Sequence, residues 1–259
     1  MSAGSGGGPR ERAGGRGGGP REGVGSGGPR EGVGSGGPRE GVGSGGPRER
    51  AGGRLYAAVV SDILDDLGHR EHVLDPAIRP LGTGEVIAGA ANPFLVVEVD
   101  EIPAVPYTGE IAALDDIRPG EVILVAAGGS ARAACWGELF SAAARARGAN
   151  GTLIDGYCRD ARLIAALGYP VWCRGMLPLD CKGRTAVTAW RQPAVVGGLP
   201  VRPGDLVVAD ADGAVVVPTE LADETVRRAL AKASKEDGLR DALTAGSTLR
   251  AAYDRFGVL

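Results

Sequence analysis

Residues 137–160, GELFSAAARARGANGTLIDGYCRD, read as a helix and a strand whose ends meet. Leu139, Ala142, Ala143 and Ala146 fall at i, i+3, i+4 and i+7 and predict one apolar helical face, and Gly148 supplies the left-handed residue that stops the helix. Gly137 and Glu138 then open that helix. The chain turns through Ala149-Asn150-Gly151 and continues as a short buried strand, Thr152-Leu153-Ile154, before Asp155-Gly156-Tyr157-Cys158 delivers Arg159 and Asp160 at its far end. An antiparallel return of strand on helix sets this Arg-Asp pair beside the helix N-terminus.

That placement has a chemical meaning. The first N–H groups of a helix lack helical partners and favour an anion, and a glycine there lets a ligand approach the backbone. The planar fork of Arg159 matches a carboxylate, and the hard oxygens of Asp160 suit a divalent cation such as Mg2+. Together they would make a site for a metal-bound 2-oxo acid. Standing alone, an Arg-Asp dipeptide is more readily read as a surface ion pair.

A longer pattern bears on that choice. Gly137-Glu138-Leu139, Ile154-Asp155-Gly156 and Arg159-Asp160 resemble the signature of the RraA-like family, the regulators of ribonuclease activity A, which includes the 4-hydroxy-4-methyl-2-oxoglutarate aldolases. Enzyme members carry an acidic residue, twenty intervening residues and then Arg-Asp, and Glu138 stands at the acidic position. Further matches are Ser61-Asp62-Ile63-Leu64-Asp65 with Leu67-Gly68, Asp75-Pro76-Ala77-Ile78-Arg79-Pro80, Arg174-Gly175, and Pro203-Gly204-Asp205 leading to Ala209-Asp210. The resemblance spans about residues 55 to 250.

It implies a single α/β domain with a mixed central sheet, the family's swivelling β/β/α fold, over residues 55–259, assembled as a homotrimer or hexamer. It implies a class II, divalent-metal-dependent pyruvate aldolase with oxaloacetate decarboxylase side activity. Asp160 would hold Mg2+ or Mn2+. Arg159 and the stretch Gly137, Glu138, Leu139 and Phe140 would bind the 2-oxo acid, with Glu138 and Arg159 catalytic. In a fuller form of the pattern a second acidic residue follows the Asp by three positions; Leu163 is there instead, leaving fewer outer carboxylates for the metal. Related aldolases complete the pocket with an acidic residue from a neighbouring subunit, for which Glu236 is a candidate. The rival reading is a non-catalytic regulator that binds a ribonuclease or helicase partner and has no need of Glu138, Arg159 or Asp160.

Composition narrows the classes. The chain has 259 residues and a net charge of −3, but its first 54 residues carry nine Arg and five Glu, so the remainder carries −7. An acidic body with eleven aromatic residues argues against a nucleic-acid surface. No apolar run of about eighteen residues suggests a membrane span, and the N-terminus lacks a secretory layout, which predicts a soluble, cytoplasmic protein. Cys135, Cys158, Cys173 and Cys181 lack paired zinc spacing and read as reduced, mostly buried thiols. With His69 and His72 the only histidines, a multi-His metal site is excluded by count, and both are expected in a solvated loop.

Residues 1–54 are a repeat: Gly-Gly-Pro-Arg-Glu-Gly-Val-Gly-Ser recurs from Gly18, Gly27 and Gly36, with degenerate copies from Gly7 and Gly45. So little apolar content cannot offset backbone ordering, which predicts a disordered Gly-rich tail. From Leu55 the pattern changes. Val60, Ile63, Leu64 and Leu67 predict a first helix ended by Gly68. Residues 84–100 read as two β segments broken at Asn92-Pro93, and Ile111–Leu114 as a short helix. Arg118-Pro119-Gly120-Glu121 is a turn before a buried strand, a pattern repeated at Arg202-Pro203-Gly204-Asp205. The loop Ala127-Gly128-Gly129-Ser130 lacks nucleotide-binding spacing and is expected to shape the floor beneath Gly137. Residues 160–167 predict a helix with Leu163, Ile164 and Leu167 inward, 195–218 a β meander, and 219–233 a helix that continues weakly through Asp237. The last stretch to Leu259 reads as a docking or interface segment.

Overall fold

The computed structural model describes residues 55–259, and the disordered-tail expectation for residues 1–54 lies outside the described residues. Helix α1 (Ala57–Asp66) forms where the spacing predicts it, buries Val59, Val60, Ile63 and Leu64, and is followed by Gly68 at φ 84°. Tyr56 gives its first turn no side-chain cap; the carboxylate of Asp210 accepts from the Ala57 N–H at 2.7 Å instead. The chain continues through strands β1 (Arg79–Pro80) and β2 (Ile87–Glu98), helix α2 (Thr108–Asp115), strands β3 (Glu121–Ala126) and β4 (Ala134–Trp136), and helix α3 (Glu138–Ala146). Then come β5 (Gly151–Cys158), α4 (Ala161–Leu167), β6 (Val171–Met176), β7 (Thr185–Trp190) and the hairpin β8 (Ala194–Val196) and β9 (Leu199–Val201). β10 (Leu206–Ala209), β11 (Ala214–Val217), α5 (Ala222–Thr244) and α6 (Leu249–Phe256) complete it.

One mixed sheet of nine strands runs β1-β6-β5-β3-β2-β10-β11, with β4 also on β5 and β7 also on β2. β2, β3, β5 and β6 pair parallel in sequence, β4 pairs parallel with β5, and β1, β7, β10 and β11 pair antiparallel. Alternation sorts the strand residues between two faces: Ile123, Val125 and Ile154 join one apolar cluster, while Val122, Leu124 and Leu153 join another with Trp172 and the β8–β9 hairpin. A third cluster packs α1 and α5 on Leu206, Val208, Val215 and Val217.

Several expectations change. β2 is continuous through Asn92-Pro93. It pairs with β10 over residues 87–90 and with β7 over 94–98, so the proline falls in the gap between two partner strands, where its missing N–H breaks no ladder on that edge. The inward face of α3 is Phe140, Ser141 and Ala144 rather than the one set by Leu139 and Ala146, both of which are exposed, Leu139 at 75%. Trp136 sets this rotation: its indole N–H donates to Ser141 Oγ at 2.9 Å, and its ring meets Phe140 edge-on at 5.7 Å. Leu163 likewise faces out of α4, at 47% exposed, while Ile164 is fully buried. His72 is buried, at 4% exposed, between the Ser61 hydroxyl at 2.8 Å and the His69 carbonyl at 2.5 Å. α5 runs to Thr244, well beyond the expected end, and α6 packs back on it with the Phe256 ring against Gly238.

Candidate active site

Strand β5 carries the chain between β4 and β6 to Arg159, whose N–H donates to the Trp136 carbonyl at 3.0 Å and so ties the strand end to the residue before Gly137. The next residue, Asp160, takes the left-handed conformation (φ 61°, ψ 30°), which a short carboxylate side chain tolerates. This turn brings Asp160 Oδ2 to 3.3 Å from the Glu138 N–H. Gly137, Glu138, Arg159 and Asp160 are thus gathered at the start of α3, outside the carboxyl ends of parallel strands, where ligand sites of open α/β sheets form.

Gly137 is required for space. Its φ of −159° is ordinary extended backbone, but a Cβ there would sit 2.8 Å from Asp160 Oδ2 and 3.2 Å from Arg159 Cγ. Having no side chain, it gives the helix no cap of its own, and Asp160 takes the Glu138 N–H instead. The first helical bond runs from the Ser141 N–H to the Gly137 carbonyl at 3.1 Å, so the amides of Leu139 and Phe140 are the donors open to a ligand, while the Leu139 side chain points to solvent and that of Phe140 packs inward.

The Arg159 guanidinium lies with Nε 3.6 Å from Asp160 Oδ2 and Nη1 3.3 Å from Asp180 Oδ1. The Tyr107 hydroxyl donates to the other Asp180 oxygen at 2.6 Å. Burial pushes the Asp180 carboxyl up, but the Tyr107 hydroxyl and the Arg159 charge outweigh it and hold the group below its ordinary value. The same hydrogen bond pushes the Tyr107 hydroxyl up to about 12. Sequence reasoning missed Tyr107 and Asp180. A cavity of about 280 Å³ lies beside Arg159 and Asp160, lined also by Ala161, Met176, Leu177 and Pro178; residues 137–140 stand outside its lining. A groove of about 310 Å³ between the 80–85 loop and α4 is more apolar, and Glu85 is its one charged lining residue, so it offers nothing to polarise a carbonyl.

Whether these residues suit a metal follows from their charge. Glu138, Asp160 and Asp180 against Arg159 leave the site net negative, so an anionic acid entering it needs a cation's charge. Among the described residues no group of three or more His, Cys, Asp or Glu could hold a metal. A cation held here would have one carboxylate, that of Asp160, and would complete its coordination with waters and substrate oxygens, a pattern that Mg2+ accepts. The cysteines offer no alternative ligands or nucleophiles: all four are free and buried, and burial pushes Cys135 and Cys181 up to about 12 and Cys173 to about 11.

Other signature residues turn out to hold the frame. Asp155, buried in β5, accepts from Arg174 Nε at 2.5 Å and from the Gly197 N–H at 2.9 Å, and Arg174 also reaches Asp75 at 2.8 Å. Asp205 accepts from the Arg202 and Thr219 N–H groups. The loop at Gly128-Gly129 packs on Arg174, and Ser130 bonds Glu98; beneath Gly137 lie Arg159 and Asp160 themselves. Glu236 is engaged within its own chain, accepting from the Tyr56 hydroxyl and lying 4.0 Å from Lys232 Nζ.

The fold is an α/β domain with Arg159 and Asp160 gathered at the strand ends, and comparison with known proteins agrees on the fold. The RraA-like model, described as Aldolase/RraA, matches residues 57–216, and the chain belongs to that family. A Halalkalibacterium halodurans protein whose name is a provisional assignment as 4-hydroxy-4-methyl-2-oxoglutarate aldolase is 31% identical over 185 residues, 71% of this chain and 83% of that one. Among solved structures, Streptomyces coelicolor RraAS2, described as an unusual member of the RNase ES inhibitor RraA protein family, superposes with a TM-score of 0.69 at 33% identity, covering 76% of this chain and 98% of its own. An uncharacterized protein from Pseudomonas syringae pv. tomato gives 0.70 at 33% identity, covering 80% and 96%. The expected mixed α/β domain is the observed one. Among the described residues no helix is long and apolar enough to cross a membrane.

Proposed function

We propose that this protein is a divalent-metal-dependent aldolase that cleaves 4-hydroxy-4-methyl-2-oxoglutarate, or a related 4-hydroxy-2-oxo dicarboxylate, to pyruvate, with oxaloacetate decarboxylation as a second route to the same enolate. The observation that carries this reading is the meeting of Arg159 and Asp160 with the start of α3. The substrate's 1-carboxylate is received by the amides of Leu139 and Phe140 and by the Arg159 fork. A bound Mg2+ or Mn2+, held by Asp160, supplies the Lewis acid for the 2-oxo group. Arg159 sets a fixed positive charge where the enolate oxygen gains negative charge. Glu138, the first residue of α3, takes the proton of the 4-hydroxyl, directly or through a water; the C3–C4 bond then breaks, its electron pair forming the pyruvate enolate, which is protonated at C3.

A Schiff-base route needs a desolvated lysine. The sequence has only Lys182, Lys232 and Lys235; the first and last are exposed, and Lys232 is paired with Asp62 at 2.6 Å. The name of the Halalkalibacterium relative supports the aldolase reading. Assembly as a homotrimer or hexamer in the cytoplasm belongs to the same proposal, supported by the exposed apolar side chains of Leu139, Leu163 and Met176 around the site. The similarity to Streptomyces RraAS2, a member of an RNase inhibitor family, favours a second reading, a non-catalytic regulator of a ribonuclease.

Pyruvate release from oxaloacetate and from the hydroxy-oxo acid, with Mg2+ and with chelator, separates the two. Metal-dependent release is expected, reduced on the order of 100-fold or more in Asp160→Asn and Arg159→Ala. No metal-dependent turnover of either acid leaves the regulator.

A further inference from the structure

Arg159 is held from a direction that its own segment does not reveal. Both residues of the Tyr107–Asp180 pair stand on bases fixed to β7. At the start of α2, Gly109 approaches so closely that a Cβ would lie 1.8 Å from the Val187 carbonyl oxygen, and Glu110 accepts from the Val187 N–H at 3.1 Å. Asp180 precedes the turn into β7, where its carbonyl accepts from Arg184 at 3.0 Å and the Cys181 carbonyl accepts from the Thr185 N–H at 2.9 Å. Tyr107 itself is left-handed (φ 64°, ψ 14°), a conformation that an aromatic residue adopts only under external constraint. Among the described residues three non-glycine residues have positive φ, and two of them, Tyr107 and Asp160, bear on Arg159, Asp160 directly and Tyr107 through Asp180.

The consequence concerns the guanidinium. Its side chain is 37% exposed and lines the cavity, so without restraint it would sample several rotamers. Asp180 Oδ1 lies 3.3 Å from Nη1 and Asp160 Oδ2 3.6 Å from Nε, two ion-pair contacts that favour one orientation of the fork. The Tyr107 hydroxyl occupies the other Asp180 oxygen and keeps that carboxylate from swinging away.

We propose that Tyr107 is a positioning residue for the 2-oxo acid site: acting through Asp180, it holds the Arg159 guanidinium in the orientation that receives the acid's carboxylate. This rests on the reading of Arg159 and Asp160 as that site. Tyr107 makes no contact with the acid itself and acts only through Arg159.

The test is a double-mutant cycle read by binding, with oxalate as a stable planar stand-in for the enolate, titrated calorimetrically in saturating Mg2+. Tyr107→Phe keeps the ring and removes the hydroxyl, and thermal melts verify that it is folded. It is expected to weaken oxalate about tenfold, the worth of one hydrogen bond to a charged group. In an Arg159→Ala background, Tyr107→Phe is expected to change oxalate binding by less than about twofold, because its effect has no other route. A wild-type affinity in Tyr107→Phe, or an equal loss with and without Arg159, overturns this inference while leaving the site intact. Failure of the wild-type protein to bind oxalate with Mg2+ overturns the underlying reading as well.

Discussion

A methyl group added at residue 137 would lie 2.8 Å from Oδ2 of Asp160 and 3.2 Å from Cγ of Arg159. Both obstructing atoms belong to flexible side chains, so the backbone can accept an alanine while the two groups that define the site cannot stay where they are. Gly137→Ala is therefore expected to keep a melting temperature close to that of the wild type and to lose on the order of 100-fold in kcat/KM, since small misplacements of reacting groups carry penalties of that size. A destabilised but fully active variant would mean that Gly137 serves only the fold. The meeting of Gly137, Glu138, Arg159 and Asp160 was legible in the sequence because all four stand at the ends of adjacent elements. Tyr107 and Asp180 were not, because they arrive from other elements and a left-handed tyrosine has no local sequence marker.

At the scale of elements, β5 shows how one strand serves two purposes. Its end presents Arg159, while its middle carries Asp155 into the sheet to bind Arg174 on β6 and the Gly197 amide at the β8–β9 turn. Removing one partner of a buried pair strands the other, so Asp155→Ala is expected to cost about 3 kcal/mol or more in urea unfolding. Specific activity per folded molecule should be much less affected; the reverse pattern would place Asp155 in the chemistry. Helix boundaries followed the sequence closely at α1, α3 and α4, where Gly68, Gly148 and Gly168 all have positive φ. Helix faces followed it less well. On a helix of nine residues rich in alanine, periodicity chose Leu139, but the aromatic contact between Trp136 and Phe140 set the rotation, an interaction the apolar count does not register.

Across the whole described domain, the class of fold was legible from the family resemblance together with the succession of helices and strands, and the strand partners were not. Pro93 suggested a break because nothing local shows that β2 changes neighbours there. The polar stretch Lys235-Glu236-Asp237 suggested a fading helix, but α6 returns along α5 and its Phe256 ring occupies the space a side chain at Gly238 would need. The same packing places Glu236 against Tyr56. Whatever the physiological acid, the proposed chemistry passes through one species, the pyruvate enolate, and its formation can be watched directly. In D2O, proton NMR of pyruvate should show its methyl protons exchanging in the presence of the protein and Mg2+, with exchange abolished by chelator and by Asp160→Asn. Methyl protons that stay at the uncatalysed rate with the wild-type protein, or exchange that survives both treatments, would contradict a metal-assisted enolate site at Arg159 and Asp160.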